Sequence, residues 1–153
     1  DAEPGTGMND AARELTGQGR DIATRLHDDL PTLNPQPCYI LCSSAIRTQQ
    51  TRDIVRPALP AHTDIETASS LYNARTSTIY ELIKGLPDEY QAAMLIGHNP
   101  GLSEIVNFLS ATPLALKPAD YVRLTIRTDR WANVMPGEGQ VLCCFRPSML
   151  QQE

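Results

Sequence analysis

Two short stretches carry residues able to handle an anion. Gly97-His98-Asn99-Pro100 follows the apolar run Ala92-Ala93-Met94-Leu95-Ile96 and precedes a helical pattern of Leu102, Ile105, Val106 and Leu109. Ser43-Ser44-Ala45-Ile46-Arg47 follows Cys38-Tyr39-Ile40-Leu41-Cys42 and opens a second helical pattern. Each reads as a turn from a buried strand into a helix. A helix start there offers free N–H groups and the positive end of a dipole. Asn99 can cap its helix, and Pro100 suits the first helical position. Arg47, in the first turn, can fork two N–H donors onto phosphate oxygens. A protonated His98 adds a second cation. Donors of this kind stabilise charge building on a transferring phosphoryl group.

Plainer readings stand beside this one. A lone histidine at a helix start commonly caps or sits in water, and a lone arginine such as Arg47 is commonly a surface charge. Arg13 suits a surface ion pair. His27 and His62 read as structural or solvated, and Tyr72 and Trp131 as packing residues.

The two stretches need a scaffold that brings them to one edge. Thr16 can cap a helix with Ile22, Leu26, Leu30 and Leu33 on one face, closed by Pro31, Pro35 and Pro37. Residues 38–42 form a buried strand. Ser43-Ser44 then cap a helix whose inner positions are Ile46, Ile54, Val55 and Leu59. Residues 62–67 read as a strand with Ile65 inward. Ile79, Leu82, Ile83 and Leu86 stripe a helix over 77–86, stopped by Pro87. A strand over 91–96, a helix over 101–110 and two alternating strands, 121–126 and 140–145, complete the chain. This alternation predicts an α/β fold: a three-layer α/β/α sandwich with a mostly parallel sheet and a C-terminal antiparallel hairpin. If the strands before Arg47 and His98 are parallel neighbours, both residues emerge at the sheet edge where ligands bind.

The 153 residues predict one domain spanning 1–153. A net charge of -5 and the lack of a basic run exclude a nucleic-acid partner, so any anion site is a local, built pocket. No stretch is apolar and long enough to span a membrane, and no signal peptide is visible. Cys38, Cys42, Cys143 and Cys144 lack the spacing of a zinc site. Buried, reduced thiols in a cytoplasmic protein are expected, with no metal and no cofactor. The expected oligomeric state is monomeric.

Together these segments resemble the histidine phosphatase (phosphoglycerate mutase-like) superfamily, and within it the short SixA-type phosphohistidine phosphatases. Arg13-Glu14-Leu15-Thr16 with Gly19 is similar to that family's R-x-L-T-x-x-G entry. Residues 42–51, Cys-Ser-Ser-Ala-Ile-Arg-Thr-Gln-Gln-Thr, are similar to C-S-P-x-x-R-A-x-Q-T, with Ser44 in place of proline. Leu71-Tyr72 resembles the L-Y of the short members, and residues 97–102 match G-H-N-P-G-L. The resemblance implies a phosphatase in which Arg47 and His98 clamp the phosphoryl group, with Ser43 and Asn99 lining the pocket. It implies attack by a histidine of an Arg-His motif at the end of the first strand, and a phospho-histidine intermediate that water then hydrolyses.

Two departures from the pattern stand out. Residues 1–153 contain no Arg-His pair. The expectation is that a first, central strand carrying it lies upstream of Asp1. Leaving that slot empty inside a sheet would strand backbone groups at about 1–3 kcal/mol each, against a domain stability of about 5–15 kcal/mol. Second, Leu71-Tyr72-Asn73-Ala74 stands where larger relatives carry a glutamate acid. An alkoxide leaving group needs a proton donor. An imidazole carries its own protonatable nitrogen, with a reference pKa of about 6.5. The substrate is therefore expected to be phosphohistidine on a signalling protein, although Asp1, Glu3 or Asp10 remain open as acids. Two other readings stay open: a small-molecule phosphomonoesterase on the same scaffold, and a non-catalytic module that binds phosphate or phosphoprotein.

Overall fold

Five consecutive buried residues set the frame. Strand β1 (Tyr39–Ser43) is buried at every position. Successive side chains of a strand point to opposite faces, so β1 feeds two cores at once. Tyr39 and Leu41 pack with Leu71, Ile79, Ile83, Ile105 and Leu109. Ile40 and Cys42 pack with Leu30, Val55, Leu59 and Met94. The structure is a computed structural model and describes residues 10–117 and 120–145; Asp1 and Glu3, kept open above as acids, lie outside the described residues.

Helix α1 (Gly17–Asp29) begins as expected, with the Thr16 hydroxyl accepting from the Gly19 N–H at 3.0 Å. Helices α1 and α2 (Ile46–Val55) cover the second core. Helices α3 (Thr76–Lys84) and α4 (Gly101–Ser110) cover the first. Strands β2 (Asp64–Ala68) and β3 (Met94–Ile96) flank β1 in the order β2-β1-β3, all parallel. The predicted three-layer α/β sandwich is therefore the observed one. The chain leaves β1 toward β2 through α2 and then passes back over β1 through α3. Parallel crossovers keep one hand, so the reversal puts α2 and α3 on opposite faces. It also creates a switch point between the carboxyl ends of β1 and β3, the place where open α/β sheets bind ligands.

The C-terminal hairpin is also present. Strands β4 (Tyr121–Ile126) and β5 (Gly139–Phe145) pair antiparallel with a register shift between Arg123 and Leu124. They form a separate two-stranded sheet, not an extension of the first. Tyr121 packs against the same core as Ile96, so β4 and β3 border one hydrophobic layer without a shared ladder. Among the described residues, β3 is paired along one edge only.

Three local expectations are corrected. Ile46 and Ile65 were expected inward and are 39% and 42% exposed. The buried face of α2 instead runs through Thr48 and Val55, because the Thr48 hydroxyl finds the Ser43 and Ala45 carbonyl oxygens at 2.9 and 2.7 Å. Ile65 is open because β2 is an edge strand, exposed from Asp64 to Thr67. Cys143 and Cys144, expected buried, are exposed on the hairpin, while burial pushes the Cys42 thiol up to about 11.

One glycine fixes the start of α4. A Cβ on the buried Gly101 would stand 2.6 Å from the Ala74 carbonyl oxygen. Gly101→Ala must therefore push α4 off the 72–74 loop. A loss of roughly 1–3 kcal/mol is expected, as for other overpacked sites. Thermal unfolding checks it, and an unchanged midpoint would show that the helix shifts freely.

Candidate active site

Parallel pairing of Ile40 with Met94, Leu41 with Leu95 and Cys42 with Ile96 brings the two polar turns side by side. Ser43 ends β1 and His98 lies just beyond β3. The Ser43 hydroxyl, fully buried, meets His98 Nε2 at 2.7 Å. From the first turn of α2, Arg47 Nη2 reaches His98 Nδ1 at 3.1 Å. Arg47 and His98 thus meet at one sheet edge, as expected from the parallel strands that precede them.

Chemistry fixes the histidine's proton. A guanidinium only donates, so His98 Nδ1 must accept from Arg47. The proton of the neutral ring then sits on Nε2 and is donated to Ser43 Oγ. Burial and the neighbouring Arg47 charge hold the His98 pKa below its ordinary value, against a smaller opposing pull from Asp10. Against Arg47 the resting site therefore holds a neutral imidazole, not a cation. A second cation was expected here, and it requires an anion to draw the proton in.

The serines do not cap α2. Its N-cap is Ala45, with no side-chain cap. Ser43 Oγ is committed to His98 and accepts only a long 3.4 Å bond from the Ala45 N–H. Ser44 supplies its carbonyl to Gln49 Nε2 at 2.7 Å. Asn99 was expected to line the pocket. Its amide instead donates to the Leu116 carbonyl at 2.7 Å and accepts from the Ser103 N–H at 3.2 Å and hydroxyl at 2.8 Å. Asn99 thereby braces the first turn of α4, which starts at Gly101 after Pro100 in the N-cap position.

Two residues complete the cluster beyond the expected set. Asp10, in a short 3₁₀ turn over Asp10–Ala12, sets Oδ2 3.3 Å from Arg47 Nη2, and its carbonyl accepts from Arg47 Nη1 at 2.9 Å. The Tyr72 hydroxyl donates to the same Oδ2. Arg13 Nη2 lies 2.8 Å from Oδ1, the ion pair expected of that residue. The Tyr72 hydrogen bond, with Arg47 and Arg13, holds the Asp10 carboxyl below its usual pKa, and Asp10 raises that of Tyr72 in return. The Tyr72 ring stands edge-on to His98, with centroids 5.3 Å apart at 84°. Tyr72 is thus more than the packing residue its type suggests. The signal was present in Leu71-Tyr72 and in Asp10 three residues before Arg13, but no periodicity marks either. Gln50 ties the segment in: Oε1 accepts from the Leu15 N–H at 2.8 Å, and Nε2 donates to Glu14 at 3.1 Å.

Fold and site together define a class: an α/β sandwich with an arginine–histidine pair at the switch point of its parallel sheet. The solved structures make the class narrower. The chain superposes on a protein assigned as phosphohistidine phosphatase SixA from Agrobacterium tumefaciens with a TM-score of 0.79 and 25% identity, covering 95% of this chain and 92% of that one. The corresponding protein from Nakamurella multipartitia gives 0.79 and 20%, covering 95% and 91%. A protein histidine phosphatase SixA complexed with tungstate gives 0.81 and 21%, covering 98% and 94%. The fold is that of the SixA-type histidine phosphatases. In sequence, the chain is 29% identical over 145 residues to the uncharacterized protein Rv1276c of Mycobacterium tuberculosis (strain ATCC 25618 / H37Rv), covering 86% of this chain and 87% of the relative. No family model matches.

Proposed function

We propose that the protein is a metal-independent phosphatase that removes phosphate from phosphohistidine on signalling proteins in the cytoplasm. The observation that carries this is the Arg47–His98 pair at the switch point, 3.1 Å apart. Arg47 presents a planar fork that matches two phosphoryl oxygens. His98 lies beside it, and its Nδ1 can take up a proton as Arg47 turns from the ring to the arriving anion, while Nε2 stays bonded to Ser43. Ser43 holds the ring's orientation from beneath. A SixA protein forms a complex with tungstate; in this chain the corresponding oxyanion is assigned to Arg47 and His98.

Attack requires a nucleophile that this cluster does not supply. The resemblance assigns it to the histidine of an Arg-His motif, and residues 1–153 contain no such pair. Among the described residues, β3 is paired on one edge only, and its other edge lies beside His98. The leaving group argues for the substrate. Asp10 is held ionised and has no proton to give an alkoxide, whereas an imidazole leaves with its own.

Full-length protein, assayed on a protein-bound phosphohistidine and on a sugar phosphate, is expected to release phosphate much faster from the first. The reverse ranking would make it a small-molecule phosphomonoesterase. Anion binding without turnover of either substrate would make it a binding module.

A further inference from the structure

We propose that Asp10 is the specificity-determining residue of this site: its carboxylate accepts a hydrogen bond from the distal ring N–H of a substrate's phosphorylated imidazole, and so selects phosphoramidates over phosphate esters. This rests on the phosphatase reading above and extends it to the side of the pocket that faces the leaving group.

Position comes first. Asp10 Oδ2 lies 3.3 Å from Arg47 Nη2, the atom that also contacts His98 at 3.1 Å. A phosphoryl group seated on Arg47 and His98 therefore has the Asp10 carboxylate at its flank. That carboxylate is fixed: Tyr72 and Arg47 hold Oδ2, Arg13 holds Oδ1, and its own carbonyl is held by Arg47 Nη1. It is still 45% exposed and open to a ligand. A carboxylate offers about four lone-pair positions. Among the described residues, three side-chain donors take three of them.

Charge then decides which ligand fits. Three donors around one carboxylate keep it ionised, so it accepts protons' hydrogen bonds and gives none. Facing the oxygens of a phosphate ester it repels. Facing the N–H of an imidazole it attracts, and it favours the ring protonated at the nitrogen remote from phosphorus. The step balances without further reagents. A nucleophile's lone pair forms the new bond to phosphorus, and the P–N electron pair withdraws onto the ring nitrogen. That cancels the ring's positive charge, and neutral imidazole departs with its distal proton still bonded to Asp10. An ester leaving as alkoxide would need a proton that Asp10 lacks.

The test compares Asp10→Asn with the unaltered full-length protein on protein-bound phosphohistidine and on p-nitrophenyl phosphate. Asparagine keeps the shape and one acceptor but loses the charge. The kcat/KM for phosphohistidine is expected to fall by about 10- to 100-fold, the worth of a hydrogen bond to a charged group. That for the aryl ester stays level or rises. Sulfate binding is expected to tighten several-fold, which also shows that the altered site is folded. Tyr72→Phe, which keeps the carboxylate and removes one anchor, should shift the ratio the same way by less. Equal loss on both substrates, or an unchanged ratio in both variants, would overturn the assignment and leave Asp10 a structural residue. An unaltered protein that hydrolyses only the ester would overturn the phosphohistidine reading itself, and this assignment with it.

Discussion

Arg47→Ala is expected to abolish sulfate and tungstate binding and to lower turnover by about 10²–10³-fold, the range seen when one donor to a developing oxyanion is removed. The side chain joins the two halves of the site: it reaches His98 Nδ1 at 3.1 Å, the Asp10 carbonyl at 2.9 Å and the Asp10 carboxylate at 3.3 Å. Removing it leaves beside the neutral imidazole a carboxylate paired with Arg13 alone, and takes away the cation that faces His98. Arg47→Lys restores charge without the fork and should recover only part of the loss. The fold should persist, because the helix carrying Arg47 is buried through Thr48 and Val55. Calorimetric titration with sulfate and a thermal melt check both halves. Unchanged sulfate affinity in a folded Arg47→Ala protein would place the anion elsewhere.

The second large effect is a pH dependence carried by His98. In the anion-free site burial and the adjacent Arg47 hold the ring's pKa below its ordinary value, and Asp10 opposes this more weakly. An anion bound between Arg47 and His98 favours the protonated ring and raises its pKa. Binding therefore takes up a proton wherever pH lies between the free and bound values. Sulfate affinity should rise as pH falls through the bound value, then level off below the free one. Asp10 stays ionised throughout, being held below its usual range, and sulfate keeps its charge, so the slope belongs to the histidine. His98→Gln should bind sulfate weakly with a flat profile. The linked stability effect has the opposite sense. A histidine held low by folding contributes stability above its unfolded pKa and loses it as pH falls through the folded one. Without anion, the melting midpoint should drop on acidification in the unaltered protein more than in His98→Gln. A sloping sulfate profile in His98→Gln would assign the proton to another group.

Sequence periodicity carried the frame of this molecule well. The run 39–43 and the stripe of Ile79 and Ile83 are dictated by burial, and their partners in space follow from strand alternation. The meeting of Arg47 and His98 was legible because each sits at a strand-to-helix turn and the strands are parallel neighbours. Residues whose partners are tertiary were not legible in that way. Ile46 looks apolar and inward by spacing, yet the site draws Ser43 to His98, and α2 buries Thr48 in its place. Asn99 has the chemistry of a pocket residue, but Ser103 and the Leu116 carbonyl claim its amide. Asp10 and Tyr72 lie 62 residues apart and share one hydrogen bond; no local pattern encodes such a meeting. The division into two sheets was equally hidden, since a hairpin reads the same whether it extends a sheet or stands beside it.

The Asp10 contact with Arg47 also bears on what happens after hydrolysis. Inorganic phosphate is abundant around any phosphatase and resembles the group just removed. In this site the liberated ion competes with a tethered carboxylate that is always present beside the same guanidinium. The Asp10–Ala12 turn, tied down through Arg13 and Tyr72, holds that carboxylate beside Arg47. The effective concentration of the tethered group does not fall with dilution, whereas that of phosphate does. On the proposed phosphatase reading, weak inhibition by phosphate is the expected consequence of where one side chain rests.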